Sequence, residues 1–219
     1  PVVATDEMMK KYAEFSHREQ IYFSTITAMD QQVGRIWEKL KELGQAENTM
    51  IWFCSDNGPE RQTPGSSGIF RERKRSLYEG GVRVPAFCVW PGKISPGQKT
   101  DFPAFTSDYL PTISAILNID YPDYRPIDGI DLSVVLKGEK YTREKPMGFQ
   151  FQTKMSWVNQ QYKLISTDSG ETFELYDLIN DKQEKNNIAG ENSELVQKMK
   201  NELFAWIKSC KNSEQGADY

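Results

Sequence analysis

Two short stretches bring together side chains that can hold ions. The first, Ser55-Asp56-Asn57-Gly58-Pro59, follows the apolar run TMIWFC, residues 49–54, without a break. A carboxylate beside an amide carbonyl supplies two hard oxygen ligands, suited to calcium or magnesium and poorly suited to zinc. Asp56-Asn57-Gly58 is also a turn sequence, because Asn and Gly both tolerate positive φ, and the residues alone leave both readings open. The second stretch is GIFRERKRSLYEGGVRVP, residues 68–85. Arg71, Arg73, Lys74 and Arg75 form a cationic cluster there, and Gly68, Gly80 and Gly81 give the backbone freedom to approach a ligand. Such a loop attracts an oxyanion ester, although a solvated charged loop gives the same pattern.

The elements that must position these residues read as an α/β layer. TMIWFC is apolar at nearly every position, as expected of a strand buried on both faces of a parallel sheet. VPAFCVW, residues 84–90, reads the same way, with Pro85 near its start. In open α/β sheets ligands gather beyond the carboxyl ends of strands, where Asp56 and Asn57 would fall. Tyr22, Ile26, Met29, Val33, Ile36, Leu40 and Leu43 alternate by four and three, which predicts a helix over 22–43, ended by Gly44 and lying on the sheet. Ser107 is placed to cap a second helix through DYLPTISAILN, with Pro111 in its first turn.

Residues 118–146 are rich in Pro, Gly, Asp and Tyr and read as an ordered connection with one short helix around Leu132 to Leu136. Beyond it MSWVN, QYKLIST and ETFELYDL are short strand-forming runs split by turn residues, the pattern of antiparallel hairpins. An amphipathic helix with Leu195, Met199, Leu203, Trp206 and Ile207 closes the chain. The expected division is therefore 1–145, an α/β part, and 146–219, a small α+β subdomain.

With 219 residues the chain can bury a sizeable core. A net charge of −4 gives no general attraction to nucleic acid, and no apolar run approaches the ~20 residues of a membrane helix. Neither partner is expected. Cys54, Cys88 and Cys210 are too scattered for a disulfide framework or a zinc site, and Cys54 and Cys88 lie in apolar runs as small buried residues do. His17, the only histidine, reads as a surface or packing residue.

Taken in order, YFSTITAMDQQVGRIWEKLKELG, ENTMIWFCSDNGPE, KRSLYEGGVRVPAFCVWPGKI, SDYLPTISAILNI and DGIDLSVVLKGE resemble the distal half of the sulfatase family, within the alkaline phosphatase superfamily. YKLI, ELYDL and NDKQEKNNIA resemble that family's small C-terminal subdomain. The resemblance implies a calcium ion ligated in part by Asp56 and Asn57. It also implies that Lys74, in K-x-x-x-Y-E-G-G, contacts the substrate's sulfate. Arg83 matches a recurrent family position and reads as a structural ion pair, while Arg71, Arg73 and Arg75 either tune specificity or face solvent.

The family's nucleophile is a formylglycine made within a C/S-x-P-S-x-R motif, and this chain has no such motif: Cys54 is followed by SDNG and Cys88 by VWPG. The proximal Asp-Asp pair of the calcium site is absent too. The resemblance therefore implies the C-terminal half of an arylsulfatase-like sulfuric ester hydrolase that acts, when whole, on a sulfated carbohydrate or aryl sulfate. Alone, the chain is expected to bind calcium weakly or not at all, to hydrolyse nothing, and to self-associate through an exposed sheet edge. A phosphate or phosphonate ester hydrolase and a non-catalytic binding module are the alternatives. By family analogy the compartment is periplasmic, lysosomal or extracellular.

Overall fold

The structure is a computed structural model that describes residues 4–120 and 126–218. A single turn, α1 (Asp6–Met9), precedes the long helix α2 (His17–Glu42). Ser16 and Glu19 form a capping box that satisfies two N-terminal N–H groups, and so the helix starts before residue 22. Gly44, at φ +65°, ends it as expected. Phe23 meets Phe15 edge to face at 5.1 Å, which ties α2 to the preceding turns. The expectation that α2 lies on a sheet is corrected. Ile36 and Leu43 remain 59% and 60% exposed, and among the described residues the helix packs chiefly on the α1 region. Its 26 residues span about 39 Å, whereas two strands about 4.8 Å apart make a ribbon too narrow to cover such a helix.

That ribbon pairs β1 (Ile51–Cys54) with β2 (Ala86–Val89) in antiparallel register, Ile51 opposite Val89 and Cys54 opposite Ala86. The parallel pairing expected of TMIWFC is overturned in this pair, and all four β1 residues are half-buried rather than sealed on both faces. The physical reason is the connection. Parallel neighbours need a crossover, usually a helix, and the only helix between these strands is the single turn α3 (Glu79–Val82). Phe53 stacks on Phe87 at 5.1 Å, and Trp52 stacks on Tyr109 at the start of α4 (Tyr109–Leu117).

Pro111 falls in the first turn of α4, where its missing N–H breaks no bond. Ser107 is not the cap, however, because it lies inside a 3-10 turn, Thr106–Asp108, that leads into the helix. Asp108 is fully buried and receives N–H bonds from Phe105 at 2.9 Å and Ile130 at 2.8 Å. Arg143 closes on its two carboxylate oxygens at 2.9 and 3.0 Å, joining the start of α4 to the chain just before the second sheet. The short helix expected near 132–136 is α5 (Ser133–Leu136). Part of the expected ordered connection, residues 121–125, lies outside the described residues.

The second sheet is an antiparallel meander of β3 (Met147–Phe151), β4 (Lys154–Val158), β5 (Tyr162–Ser166) and β6 (Glu174–Asp177). The last three match the strand-forming runs. The first, MGFQF, escaped sequence reading because Gly148 interrupts its pattern; that glycine lets the Trp206 indole close in, 2.4 Å from where a Cβ would sit. Met199, Leu203 and Ile207 of α6 (Ser193–Glu214) cover one face, against Met155, Trp157, Leu164 and Leu175. Leu77 and Tyr78, from the basic stretch, cover the other face through Ile165 and Tyr176.

The β5–β6 turn carries a pH-dependent contribution. Asp168 accepts bonds from the backbone and hydroxyl of Thr172 and from Ser166 Oγ, which together hold its carboxyl down at about 2 against an ordinary 3.8. A lowered carboxyl stabilises the fold above its unfolded pKa and loses that contribution as pH falls through its folded one. Melting curves of wild type and Asp168→Asn should therefore differ most above pH 4 and converge toward pH 2. A constant offset down to pH 2 would contradict this.

Candidate functional site

The two stretches singled out in the sequence meet. Beyond β1, Ser55 N–H donates to Pro85 O at 3.0 Å, Gly58 N–H to Gly81 O at 2.9 Å, and Lys74 N–H to Pro59 O at 3.2 Å. The Asp56-Asn57 loop and the Lys74 loop are thus stitched backbone to backbone. Neither Asn57 nor Gly58 adopts a positive φ, so the chain bends at 56–58 without using the left-handed tolerance of Asn and Gly. Gly58 is there for clearance instead: a Cβ would lie 1.9 Å from the Gly80 carbonyl oxygen. Gly80 and Gly81 are equally constrained, with the carbonyls of Glu72 and Ser76 at 2.2 and 2.1 Å from their ideal Cβ positions. These two glycines let the chain approach itself, not a ligand as their sequence context suggested.

Asp56 is exposed, and its Oδ1 accepts the Asn57 N–H at 3.0 Å. Asn57 is half-buried, and Ser55 Oγ donates to its backbone carbonyl at 3.2 Å. Lys74 is half-buried and forms no ion pair among the described residues, whereas its neighbour Arg75 binds both oxygens of Glu60 at 2.6 and 2.7 Å. Arg61 pairs with Glu72 in the same loop cluster. Arg75 is the main cause of a lowered Glu60 carboxyl, to which Lys74 adds a smaller share. Glu60 therefore neutralises Arg75 and Glu72 pairs with Arg61, whereas Lys74 and Arg73 form no ion pair among the described residues.

The other arginines are structural. Arg71 stacks over the Tyr78 ring at 3.8 Å and donates to Tyr176 Oη at 2.8 Å and to Glu184 O at 3.1 Å. Tyr78 and Tyr176 both donate to Glu174 Oε2, and burial, with that carboxylate, pushes the Tyr176 phenol up to about 12. Arg73 donates to Thr63 O at 3.4 Å. Arg83 pairs with Glu79 at 3.5 Å and Asp101 at 3.2 Å, as an ion pair should. His17 is the exposed first residue of α2. The Cys88 thiol is pushed up to about 11 by burial, which disfavours its thiolate.

Sequence reading missed the ionic cluster under the Lys74 loop. Lys163 Nζ lies 2.6 Å from Glu79 Oε1 and 2.9 Å from Glu184 Oε1, and Glu184 Oε2 accepts the Glu79 N–H at 2.6 Å. All three residues are buried. The one available signal was a lysine in the middle of the apolar run YKLI. Glu79, from K-x-x-x-Y-E-G-G, thereby anchors the loop to the second sheet.

Comparison with known proteins bears on the family and the fold. The model of the family described as Sulfatase matches residues 1–119, and that described as N-sulphoglucosamine sulphohydrolase, C-terminal, matches residues 65–209. The chain belongs to the sulfatase family. A sulfatase of Formosa agariphila is 33% identical over 229 residues, covering 90% of this chain and 41% of the relative. Arylsulfatase A of Homo sapiens is 38% identical over 132 residues, covering 59% of this chain and 25% of the relative. Among solved structures, Ps i-CgsB in complex with k-i-k-neocarrahexaose superposes with a TM-score of 0.85 at 26% identity, over 94% of this chain and 47% of the other. This sulfatase chain thus spans less than half the length of these relatives, and it has the fold of the distal part of an alkaline-phosphatase-like α/β domain followed by a small antiparallel subdomain with a C-terminal helix.

Proposed function

We propose that this chain is the distal half of a sulfuric ester hydrolase acting on a sulfated carbohydrate. In this reading Asp56 and Asn57 supply two of the ligands of a calcium ion, and Lys74 contacts the sulfate. The observation that carries it is the backbone stitching of the two loops, which joins the segments that carry Asp56, Asn57 and Lys74, a lysine that forms no ion pair among the described residues.

The donor set fits a hard cation in kind: the Oδ2 of Asp56 and the side-chain oxygen of Asn57 make no hydrogen bond among the described residues. It does not fit one in number, since calcium takes about six to eight oxygens and no cluster of three or more His, Cys, Asp or Glu is placed to hold a metal among the described residues. The remaining ligands and the formylglycine nucleophile then belong to a proximal part of the protein. When bound, calcium would draw negative charge from the sulfate oxygens. Lys74 does so from this chain, as an ammonium held at the loop where charge grows on the departing ester oxygen. In the same reading the boundary near residue 145 separates the part that touches substrate from a subdomain that braces it.

The carbohydrate assignment is supported by the neocarrahexaose bound to Ps i-CgsB. It is tested by offering the full-length protein a panel of sulfated oligosaccharides, k-i-k-neocarrahexaose among them, and aryl phosphates. Sulfate release exceeding phosphate release is expected. Preferential phosphate release would make it a phosphoryl-ester hydrolase, and turnover of neither would leave a binding module.

A further inference from the structure

The peptide next to Lys74 is held in an unusual shape by a residue of the other sheet. Glu72 and Arg75, two residues before and one after Lys74, have φ of +64° and +70°. Neither is glycine, and this left-handed region brings the Cβ of an L-residue too close to a backbone carbonyl oxygen. Such conformations persist only where the surroundings over-determine them. For Glu72 the hold comes from within the loop cluster: Ser67 Oγ donates to its carbonyl at 2.9 Å. For Arg75 it comes from far along the chain. Lys154, the first residue of β4, reaches across from the second sheet, and its Nζ donates to Arg75 O at 2.8 Å.

We infer that Lys154 is a positioning residue for Lys74. The inference rests on the reading of Lys74 as the sulfate contact. The Lys154 ammonium fixes the carbonyl of the residue that follows Lys74, while Pro59 O fixes the N–H of Lys74 itself at 3.2 Å. The backbone on both sides of Lys74 is thereby clamped, once from the Asp56-Asn57 loop and once from the β3–β4 hairpin. Without the second clamp the Arg75 peptide keeps only the hold of Glu60 on its side chain and can relax toward negative φ, which swings the root of the Lys74 side chain away from the calcium-side loop. Lys154 is only half-buried and forms no ion pair among the described residues, so its replacement leaves the cores on both faces of the sheet untouched.

The test compares Lys154→Met, Lys154→Arg and Lys74→Ala with wild type in the full-length protein, using nitrophenyl sulfate as substrate and amide exchange of residues 71–77 as a second readout. Lys154→Met should lower kcat/KM about ten- to a hundredfold, as an ångström-scale misplacement does, mainly through kcat. Exchange across 71–77 should quicken while the melting temperature stays unchanged. Lys154→Arg, which can donate to the same carbonyl, should recover most of the loss. Wild-type kcat/KM or unchanged exchange in Lys154→Met overturns the inference, as does a loss confined to KM, which would mark a direct substrate contact. Lys74→Ala reports the underlying reading separately. If that variant stays fully active, the sulfate role of Lys74 fails and the positioning role with it; if it is inactive while Lys154→Met is normal, only the positioning role fails.

Discussion

Replacing Lys163 with alanine should lower the melting temperature of the full-length protein by several degrees. Lys163 sits between Glu79 and Glu184 at 2.6 and 2.9 Å, with its side chain fully buried. Removing one partner of a buried ion pair costs about 3–5 kcal/mol, because the remaining charge is left in a medium that solvates it poorly. Here two carboxylates would face each other. The sign with pH follows from Glu184, whose carboxyl is raised above its ordinary 4.5, first by burial and against the pull of Lys163. A raised carboxyl makes the folded state hold its proton longer, so stability falls as pH rises from 4.5 through the folded value. Loss of the ammonium strengthens that trend, and the variant should be more damaged at pH 8 than at pH 5. Scanning calorimetry at both values checks this, with Glu79→Gln added in the Lys163→Ala background as a partial rescue. An unchanged melting temperature would mean that the cluster is solvated and contributes nothing.

Asp56→Ala and Lys74→Ala should each lower kcat/KM for a sulfate ester by about a hundred- to a thousandfold, the loss typical of removing one group that meets developing charge. Neither should alter folding much. Asp56 is exposed, and the bonds that stitch its loop to the Lys74 loop are made by backbone atoms that alanine retains. The two variants should differ in kind. If Asp56 ligates calcium as proposed, Asp56→Ala should raise the calcium needed for half-maximal activity, whereas Lys74→Ala should leave calcium dependence unchanged. Initial rates of sulfate release at varied calcium, beside circular dichroism of each variant, separate these outcomes from unfolding.

Much of this was legible in the sequence, for physical reasons that differ by element. Apolar periodicity found α2 and α6 because a 3.6-residue repeat over many turns is hard to mimic by chance. Its limit was the partner: the α2 stripe predicts burial but not what covers it, and its sheet-facing role is not seen here. TMIWFC was recognisably a strand, yet apolarity on both faces says nothing of strand direction, which the folding back of residues 55–85 decides. Asp56, Asn57 and Lys74 stood out by residue type and drew their expected roles from the family resemblance, whereas the glycines around them were read for the wrong role. Gly58, Gly80 and Gly81 permit two chain segments to touch, and that requirement is visible only in three dimensions. The same holds for Lys163 and Lys154, whose partners Glu79 and Arg75 lie 84 and 79 residues away in sequence.

The central claim is that the Asp56-Asn57 loop and the Lys74 loop serve one sulfate. A double-variant cycle on kcat/KM for nitrophenyl sulfate, with wild type, Asp56→Ala, Lys74→Ala and the double variant in the full-length protein, tests it most directly. Groups that act on the same oxygen atoms couple, so the double variant should lose less than the product of the single losses, by a coupling of about 1–3 kcal/mol. Full activity in either single variant, or two losses that multiply without coupling, would contradict the claim and leave two neighbouring loops with unrelated roles.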